Sequence, residues 1–396
     1  MKTNRVTVRT RVDSFPSIDP FQYRDGTISP LTSPSPSIEI RSALDRAAGW
    51  FLQSGIQVSN GGVARYYHSD VHQNAAVSTE ITGYAVSALV FAHARRGDPA
   101  SLEAAVRAAD FLCDTAWSNE WDTFPFELPR PDGRMLSYFF DLGIIVRGLL
   151  RIYDVTRKPK YLDRAKDGAR AMARDFPHEG AFHPILELPS KAALPYEPQW
   201  SRSPGCYQLK SALAWYELFR VTGEESYLSL YERAVESAMS SEERFLPDPV
   251  AFEKTMDRLH AFSYYLEALL PLADHADCAT ALERGIQRVS GYLRQIRPAF
   301  ARSDVYAQLL RVRLYAEVLA GIRLQTAEAS EEAAAIEAFQ VKSADVRVNG
   351  GFYFGERNGA LTPYVNPVSA AFCSQALEFW RDREAGTFAA NPALVI

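Results

Sequence analysis

The sequence predicts an all-α fold in which about six helical hairpins close into a ring. Three observations support this prediction: helical apolar periodicity through most of the chain, a repeated helical segment, and alternation between two kinds of helix. No long segment shows the period-two alternation of a half-buried strand. With 396 residues, 47% of them apolar, the chain is long enough to bury a large core as one domain.

The repeat consists of three similar segments that align on Leu102, Leu162 and Leu228, with spacings of 60 and 66 residues. Two of the segments place a proline in the first helical turn, after Asp98 and Lys158, and the third begins with acidic residues. Each segment also carries charge along one side. We therefore predict a recurring hairpin whose second helix lies on the outside of the ring.

Helices of another kind lie between the repeated segments and are apolar on most faces, which is typical of buried helices. These predicted inner helices cover 81–94, 139–153, 211–219, 262–273, 306–321 and 369–380. Further helices are predicted near 38–54, 275–296 and 326–340, which gives about twelve in total.

The connections differ in length, and this difference predicts where a functional surface lies. Short turns leave the inner helices, whereas most of the segments that enter them are long. Long loops tend to carry function, and here they would meet at the N-termini of the inner helices. We expect the working surface at this end of the ring, which we call the mouth. The long loops are 55–77, 117–136, 176–204, 243–256 and 341–366.

Composition excludes several classes of protein. The net charge is −5 and no run of like charge occurs, so we expect no nucleic-acid partner. The four cysteines are far apart and none is in a CxxC pair, which favours buried free thiols over a zinc or redox site. No segment has the length and hydrophobicity of a membrane span or a signal peptide, so a cytoplasmic protein is expected. Residues 1–37 are rich in Ser, Thr and Pro and are predicted to form an arm outside the ring domain of 38–396.

Four carboxylates near the starts of inner helices are the candidate catalytic residues: Glu80, Asp141, Asp257 and Asp304. Carboxylates gathered around an aromatic-rich cleft can divide the acid and base roles that glycoside hydrolysis needs. Helix capping is the alternative for each of them, because Asp and Glu are enriched in first turns. Glu80 and Asp141 are preferred, since little other charge is near them in the sequence.

Histidines provide two further candidates. His68, Asp70 and His72 form an HSDVH segment that, if extended, would place all three side chains on one side, where they could bind a sugar or a metal. No further metal ligand can be assigned, so no metal and no cofactor are predicted. His260 follows Asp257 by three residues, so the two could pair on one helix face. A core histidine is the alternative.

Aromatic and basic residues in the long loops complete the predicted binding surface. Aromatic faces suit sugar rings, and arginines could clamp an anionic group, although surface ion pairs are the ordinary role of each arginine taken singly. The candidate substrate-binding residues, besides the HSDVH segment, are Trp121, Arg134, Trp200, Arg202, Tyr353, Arg357 and Tyr364.

Known motifs of other enzymes are missing from the sequence. There is no GxSxG, HExxH, GxxxxGK[ST] or strand-borne GxGxxG, which argues against serine hydrolases, zincins, nucleotide-driven enzymes and Rossmann enzymes.

A family resemblance rests on the hairpin pattern together with STEITGYAVSAL, from Ser78 to Leu89, and NGGFYF, from Asn349 to Phe354. With these segments, residues 38–382 resemble the (α/α)6-toroid, six-hairpin glycosidase-like enzymes that act on carbohydrates. This group includes unsaturated glucuronyl hydrolases, N-acylglucosamine epimerases and the toroid domain of glucuronyl C5-epimerases. The resemblance implies a sugar or uronate-containing substrate, and no catalytic residue of these families can be matched one by one.

The sequence thus favours a carbohydrate-active enzyme whose partner is a small molecule or oligosaccharide that could carry negative charge. If the reaction were epimerisation or elimination, Tyr84, His260 or Tyr264 would be the candidate base. The second hypothesis is a binding module without catalysis, for a glycan, a peptide or a partner protein. The third is an isoprenoid-handling ring, which the absence of a DxDD motif and of suitably spaced zinc ligands disfavours.

Overall fold

In the computed structural model, residues 42–128, 133–246, 252–297 and 299–396 are described. They contain twelve α-helices, so the all-α prediction is confirmed. The arm predicted for residues 1–37 lies outside the described residues. The helices are α1 Ala43–Gln53, α2 Thr79–Arg96, α3 Pro99–Phe111, α4 Phe139–Thr156, α5 Pro159–Asp175, α6 Leu209–Thr222, α7 Glu225–Ser241, α8 Phe252–Leu269, α9 Ala276–Ile296, α10 Ser303–Ala320, α11 Thr326–Ala338 and α12 Pro367–Glu384.

The six even-numbered helices form the inner layer of a closed ring. Each packs against the next even-numbered helix, and α12 packs against α2. The odd-numbered helices lie outside them, and α1 covers the junction between α12 and α2. This arrangement confirms the (α/α)6 toroid, including the assignment of the repeated segments at Leu102, Leu162 and Leu228 to outer helices.

Short turns connect inner to outer helices as predicted. After α2, α4 and α6, the left-handed residues Gly97, Arg157 and Gly223 each end the helix within one residue. A proline in the first turn then begins α3 and α5. These sharp reversals keep one end of the ring compact and leave the long loops at the other.

The long loops contain short strands, which the sequence pattern did not predict. Strands from neighbouring loops pair, so three loop pairs are joined across the mouth: those entering α12 and α2, α4 and α6, and α10 and α12. Two- and three-residue strands are too short to show a periodic signal. They are β1 Val63–Ala64, β2 Tyr67–His68, β3 Gln73–Asn74, β4 Val77–Ser78, β5 Leu136–Tyr138, β6 Pro177–His178, β7 Ala181–Phe182, β8 Ile185–Glu187, β9 Ala192–Ala193, β10 Phe300–Arg302, β11 Gly355–Arg357, β12 Ala360–Leu361 and β13 Tyr364–Val365.

All four cysteines are buried free thiols, as expected. Within the part of the chain that the structure describes, no helix has the length and apolar character needed to cross a membrane.

Glycines allow the inner helices α2, α4 and α6 to approach closely. A Cβ atom on Gly148 would lie 2.6 Å from the main-chain oxygen of Gly83, and one on Gly143 would lie 2.4 Å from the Cα of Ser211. Both obstacles are main-chain atoms of a neighbouring inner helix, so a larger residue would have to push the helices apart.

We expect Gly143→Ala to destabilise the ring by roughly 1–3 kcal/mol, because the added methyl group overpacks a helix contact. Urea denaturation followed by circular dichroism measures this free energy of unfolding. Gly291→Ala is the matched control, since no atom lies within 4 Å of its added Cβ and Gly291 lies inside helix α9. That variant should be neutral or more stable by up to about 1 kcal/mol through helix propensity. Equal stability of the two variants would contradict the close approach.

Candidate active site

Glu80 and Asp141 lie at the N-termini of adjacent inner helices. Glu80 is the second residue of α2, and the cap of this helix is instead Ser78, whose side chain accepts from the amide of Ile81. Asp141 is the third residue of α4, where no side chain caps the helix. One carboxylate oxygen of Asp141, Oδ2, is buried with no hydrogen-bond partner among the described residues. Capping therefore does not account for either carboxylate.

The two carboxyl groups are electrostatic neighbours. Burial raises the pKa of Glu80 to about 7, with the Arg65 guanidinium acting in the opposite direction. Burial and the negative charge of Glu80 raise the pKa of Asp141 well above its ordinary value, and Arg65 again opposes the shift. Like charges in a poorly solvated place cannot both ionise easily, so this pair holds a proton near neutral pH.

Below this pair, an aromatic layer crosses the lumen of the ring. The hydroxyl of Tyr84, on α2, donates to the hydroxyl of Tyr264, on α8, over 3.0 Å. Because α2 and α8 are three inner helices apart, this bond spans the ring. The Tyr264 ring also contacts those of Phe140 at 4.8 Å and Phe372 at 6.2 Å between centroids. We call these four side chains the floor of the candidate site.

A second charged cluster lies on the opposite side of the lumen, at the starts of α8 and α10. Arg302 donates to both carboxylate oxygens of Asp304, over 3.0 and 2.6 Å, and to Asp257 over 2.7 Å. Burial alone would raise the pKa of Asp304, but the positive charge of Arg302 and the neighbouring His260 outweigh burial and lower this pKa. Asp304 is thus an ionised partner of a buried arginine, which distinguishes it from Glu80 and Asp141.

His260 faces the site from α8 but does not pair with Asp257 as predicted. Its Nδ1 atom lies 2.8 Å from Oε1 of Gln308 and 3.5 Å from Oδ2 of Asp304. Helix α8 begins at Phe252, which places Asp257 in its second turn, where its half-exposed side chain contacts Arg302. Burial lowers the pKa of His260 to about 4, so its imidazole is neutral at neutral pH.

Aromatic side chains line the passage from the loops to the floor. Trp200 packs edge-on against Tyr207 at 5.0 Å and against His260 at 6.4 Å between ring centroids. On the other side, Tyr138 contacts Phe126 at 5.1 Å. Such surfaces are well suited to the apolar faces of sugar rings.

The HSDVH segment is not extended, contrary to the prediction. His68 ends β2, residues 69–72 form a turn, and His72 has a positive φ of 53° that reverses the chain into β3. His68 instead packs its ring against Tyr364 at 4.9 Å, where β2 pairs with β13. Asp70 lies at the exposed end of this turn. Among the described residues, no group of three or more His, Cys, Asp or Glu side chains is placed to hold a metal ion.

The remaining predicted binding residues divide between the mouth and its periphery. Arg202 forms an ion pair with Glu197. Burial and the charge of Asp141 raise the pKa of Tyr138, and Arg202 opposes this shift, so Arg202 lies on the Tyr138 side of the mouth. Arg134 is exposed and paired with Glu187. The others lie farther out or act through the main chain: Trp121 sits in a turn beside the end of α5, Tyr353 offers its carbonyl to Ser303, and Arg357 stacks over Phe300.

Sequence reasoning missed the polar residues that inner helices direct into the lumen. Gln308 holds His260, while Lys210, Glu267 and Arg311 form ion pairs below the floor with no exposed surface on their side chains. A usable signal exists: Glu267 follows Tyr264 by three residues and Arg311 follows Gln308 by three, so isolated polar residues share one helix face with site residues.

The raised pKa of Glu80 predicts a pH-dependent effect of Glu80→Gln on stability. A folded-state pKa of about 7 exceeds the ordinary value of 4.5, so the group stabilises the fold fully below about pH 4.5 and loses this contribution as pH rises through 7. Relative to Glu80→Gln, the wild type should lose on the order of 2 kcal/mol between these pH values, after allowance for solvent screening. Denaturation curves at several pH values measure it.

Asp304→Asn is the matched control with the opposite sign. The carboxyl group of Asp304 has a lowered pKa in the folded chain. Its contribution to the stability of the fold is therefore present at neutral pH and disappears as the pH falls through this lowered pKa. This variant should be less stable than the wild type at pH 7, and the difference should shrink in acid. A gap between wild type and Glu80→Gln that stays constant from pH 4.5 to 7.5 would contradict the assigned electrostatics.

Comparisons with known proteins identify the fold. No family model matches the chain, and no curated protein matches it. Among solved structures, cellobiose 2-epimerase from Spirochaeta thermophila superimposes with a TM-score of 0.64 at 14% identity, covering 84% of this chain and 94% of that one. A D-mannose isomerase gives 0.62 at 9% identity, covering 84% and 95%.

An α-1,6-mannanase from Salegentibacter sp., an inactive variant with two aspartates replaced by asparagine and in complex with α-1,6-mannotriose, gives 0.55 at 11% identity. The superposition covers 85% of this chain and 99% of that one. At these identities the likeness establishes a shared architecture, and the chain has the (α/α)6-toroid fold of these enzymes.

Proposed function

We propose that this chain is a carbohydrate-active enzyme of the glycoside hydrolase type, with Glu80 and Asp141 as its catalytic pair. The observation that carries the proposal is a pair of neighbouring carboxyl groups with raised pKa at the mouth, one of which has an unpartnered buried oxygen. Hydrolysis of a glycosidic bond needs a carboxylic acid that is still protonated and a carboxylate beside it. This pair offers both near neutral pH.

We assign the roles by burial. Asp141 is more buried than Glu80, and its Oδ2 has no hydrogen-bond partner among the described residues, so we expect it to keep the proton that the pair shares. Asp141 would protonate the leaving oxygen, and ionised Glu80 would activate water or attack the sugar. Activity should then rise as Glu80 ionises near pH 7 and fall where Asp141 loses its proton.

Three further observations support a saccharide substrate. The carboxyl pair lies above an aromatic floor, and Trp200 and Tyr138 flank the approach to it. The similar structures include a mannanase in complex with a mannotriose, and this mannanase is an inactive variant with two aspartates replaced by asparagine. Carboxylate chemistry on an oligosaccharide is therefore compatible with this architecture.

Epimerisation or isomerisation of a sugar is the second candidate, because a neutral imidazole faces the site. His260 and Tyr264 lie in contact, at 4.5 Å between ring centroids, on the side opposite α2. A base there could remove a proton from a sugar carbon. Two of the similar structures are an epimerase and an isomerase, which is why this reaction stays open.

The deciding experiment compares Glu80→Gln and Asp141→Asn with the wild type on neutral oligosaccharides and 4-nitrophenyl hexosides. Each variant should lose about 10²- to 10⁴-fold in kcat, because acid–base assistance is removed. Glycan binding, measured by calorimetry, should remain within a few-fold, since the substituted amides keep the shape of the site. Asp257→Asn serves as the control carboxylate, because its side chain is half exposed and paired with Arg302.

The outcomes separate the alternatives. Unchanged turnover in both variants, together with loss of turnover in His260→Gln, would favour the epimerase. Binding without turnover of any saccharide by the wild type would favour a binding module.

We also propose that the reacting sugar is uncharged. Arginines that could neutralise a uronate already contact loop carboxylates: Arg65 pairs with Glu127, Arg134 with Glu187 and Arg202 with Glu197. An anionic sugar would therefore lie beside Glu80 and Asp141 without a dedicated cation. Location in the cytoplasm, expected from composition, stays a prediction.

We expect hexosides to be cleaved at least about 100-fold faster than the corresponding glucuronides, because like charges beside the site disfavour the anion. Glu197→Gln would release Arg202 and should raise glucuronide turnover. Glu187→Gln, which releases the exposed Arg134, is the matched control and should have no such effect. Preferential cleavage of glucuronides by the wild type would contradict the proposed specificity while leaving the hydrolase proposal intact.

A further inference from the structure

Residues 391–396 lie at the end of the ring opposite the mouth, among side chains of the inner helices. The hydroxyl of Tyr315, in the C-terminal half of α10, donates to the carbonyl of Asn391 over 3.0 Å. The side chains of Val395 and Ile396 are buried, at 2% and 4% exposure. The chain therefore returns into the ring after α12 and fills its second opening.

Three consecutive main-chain oxygens of this segment accept hydrogen bonds from three different inner helices. Gln375 Nε2, on α12, donates to Leu394 O over 2.8 Å, and Arg147 Nη2, on α4, donates to Val395 O over 2.6 Å. Lys210 Nζ, on α6, donates to Ile396 O over 2.9 Å. In return, the amide of Ile396 donates to Gln375 Oε1 over 3.1 Å.

These donors belong to a buried polar cluster that the segment completes. Lys210 also contacts Glu267 Oε2 at 2.9 Å, and Arg311 contacts both Glu267 and Gln375. Removing one hydrogen-bond acceptor from a buried cation is costly, because burial prevents water from replacing the lost acceptor. The ring therefore has an electrostatic reason to hold a peptide main chain at this place.

The segment is held by side-chain donors and not by helix or sheet pairing. Its only regular structure is a short 3-10 turn at Pro392–Leu394, and residues 385–387, which connect it to α12, are exposed. Ala393 and Leu394 are exposed as well, so recognition concerns the main chain and the two buried apolar side chains. These are properties of a bound peptide ligand.

We propose that the end of the ring opposite the mouth is a peptide-binding site for a segment that buries two adjacent apolar side chains, and that the chain's own residues 391–396 occupy it. The occupied site supports the floor from below. Lys210 Nζ lies 6.0 Å from the ring centroid of Tyr264, and the Arg311 guanidinium lies 4.1 Å from that of Phe372. This site is separate from the one proposed for catalysis, so it can be tested whether or not the hydrolase proposal holds.

The test starts from the folded full-length chain with a protease recognition sequence inserted between Gly386 and Thr387, both exposed. After cleavage, the peptide of residues 387–396 should elute with the ring on gel filtration, as detected by mass spectrometry. Added unlabelled synthetic peptide of the same sequence should displace it. Removal of the peptide should lower the melting temperature by roughly 5 °C or more, because several charge-assisted hydrogen bonds are lost.

Modified peptides test recognition without altering the ring. N-methylation of Ile396 removes the amide that donates to Gln375 and should weaken displacement about 10-fold or more. A peptide with Val395→Asp and Ile396→Asp should not compete. A ring carrying Lys210→Met should release the peptide more readily, whereas Arg313→Met should not, since Arg313 is equally buried but pairs with Glu332 on the outer helix α11.

The cleavage and competition experiments can support or overturn the proposed peptide site. Retention of the peptide with weaker competition by both modified peptides supports the site. Loss of the peptide supports it only if melting temperature falls and added peptide restores it. Loss of the peptide with an unchanged melting temperature, or equal competition by all peptides, overturns the proposal.

Discussion

The close approach of inner helices at glycines is the constraint on which the candidate site depends. Gly83 and Gly148 bring α2 against α4, and Gly143 brings α4 against α6, with main-chain atoms in contact where a Cβ would otherwise stand. Glu80 precedes Gly83 by three residues and Asp141 precedes Gly143 by two. The packing that closes the ring on this side is therefore the same packing that makes two carboxyl groups electrostatic neighbours. Wider helix spacing would keep the ring and separate the pair.

The lumen contains two layers of charge with different physical character, separated by the floor. Below the floor, Lys210, Arg311 and Glu267 compensate one another, as buried charges in a stable interior generally must. Above it, the arginine that opposes the raised pKa values of Glu80 and Asp141 is Arg65, whose guanidinium is also engaged with Glu127. Each cation of the lower layer contacts Glu267, although burial lowers the pKa of Lys210 to about 7, and this layer suits a structural role. The upper layer holds two neighbouring carboxyl groups with raised pKa values, and acid–base chemistry uses such pairs.

The sequence was sufficient to predict the ring because its determinants are local. Periodicity, proline and glycine positions and a repeat of 60 to 66 residues each act within one hairpin. Glu80 and Asp141 could be singled out for a similar reason, since their positions at helix starts are local too. The contacts of Gln308 with His260 and of Trp200 with His260 join residues about 50 or more positions apart, and no local pattern reports them. The HSDVH segment is not extended because its turn contains a left-handed His72, a conformation that few non-glycine residues adopt.

The contrast between the two sides of the lumen bears on which reaction the site favours. His260 is neutral and already hydrogen-bonded through Nδ1, and Asp304 is committed to Arg302, so that side offers a single imidazole nitrogen for proton transfer. Epimerisation through a carbanion needs proton removal and proton return at one carbon, and thus a partner for His260 across the sugar. One carboxyl group of the pair could be that partner, but epimerisation would leave the second carboxyl group without a role. The two together match the acid and base of hydrolysis, in which both groups act at the same glycosidic bond. On this reasoning His260 serves better as a hydrogen-bonding group for a sugar hydroxyl than as the principal base.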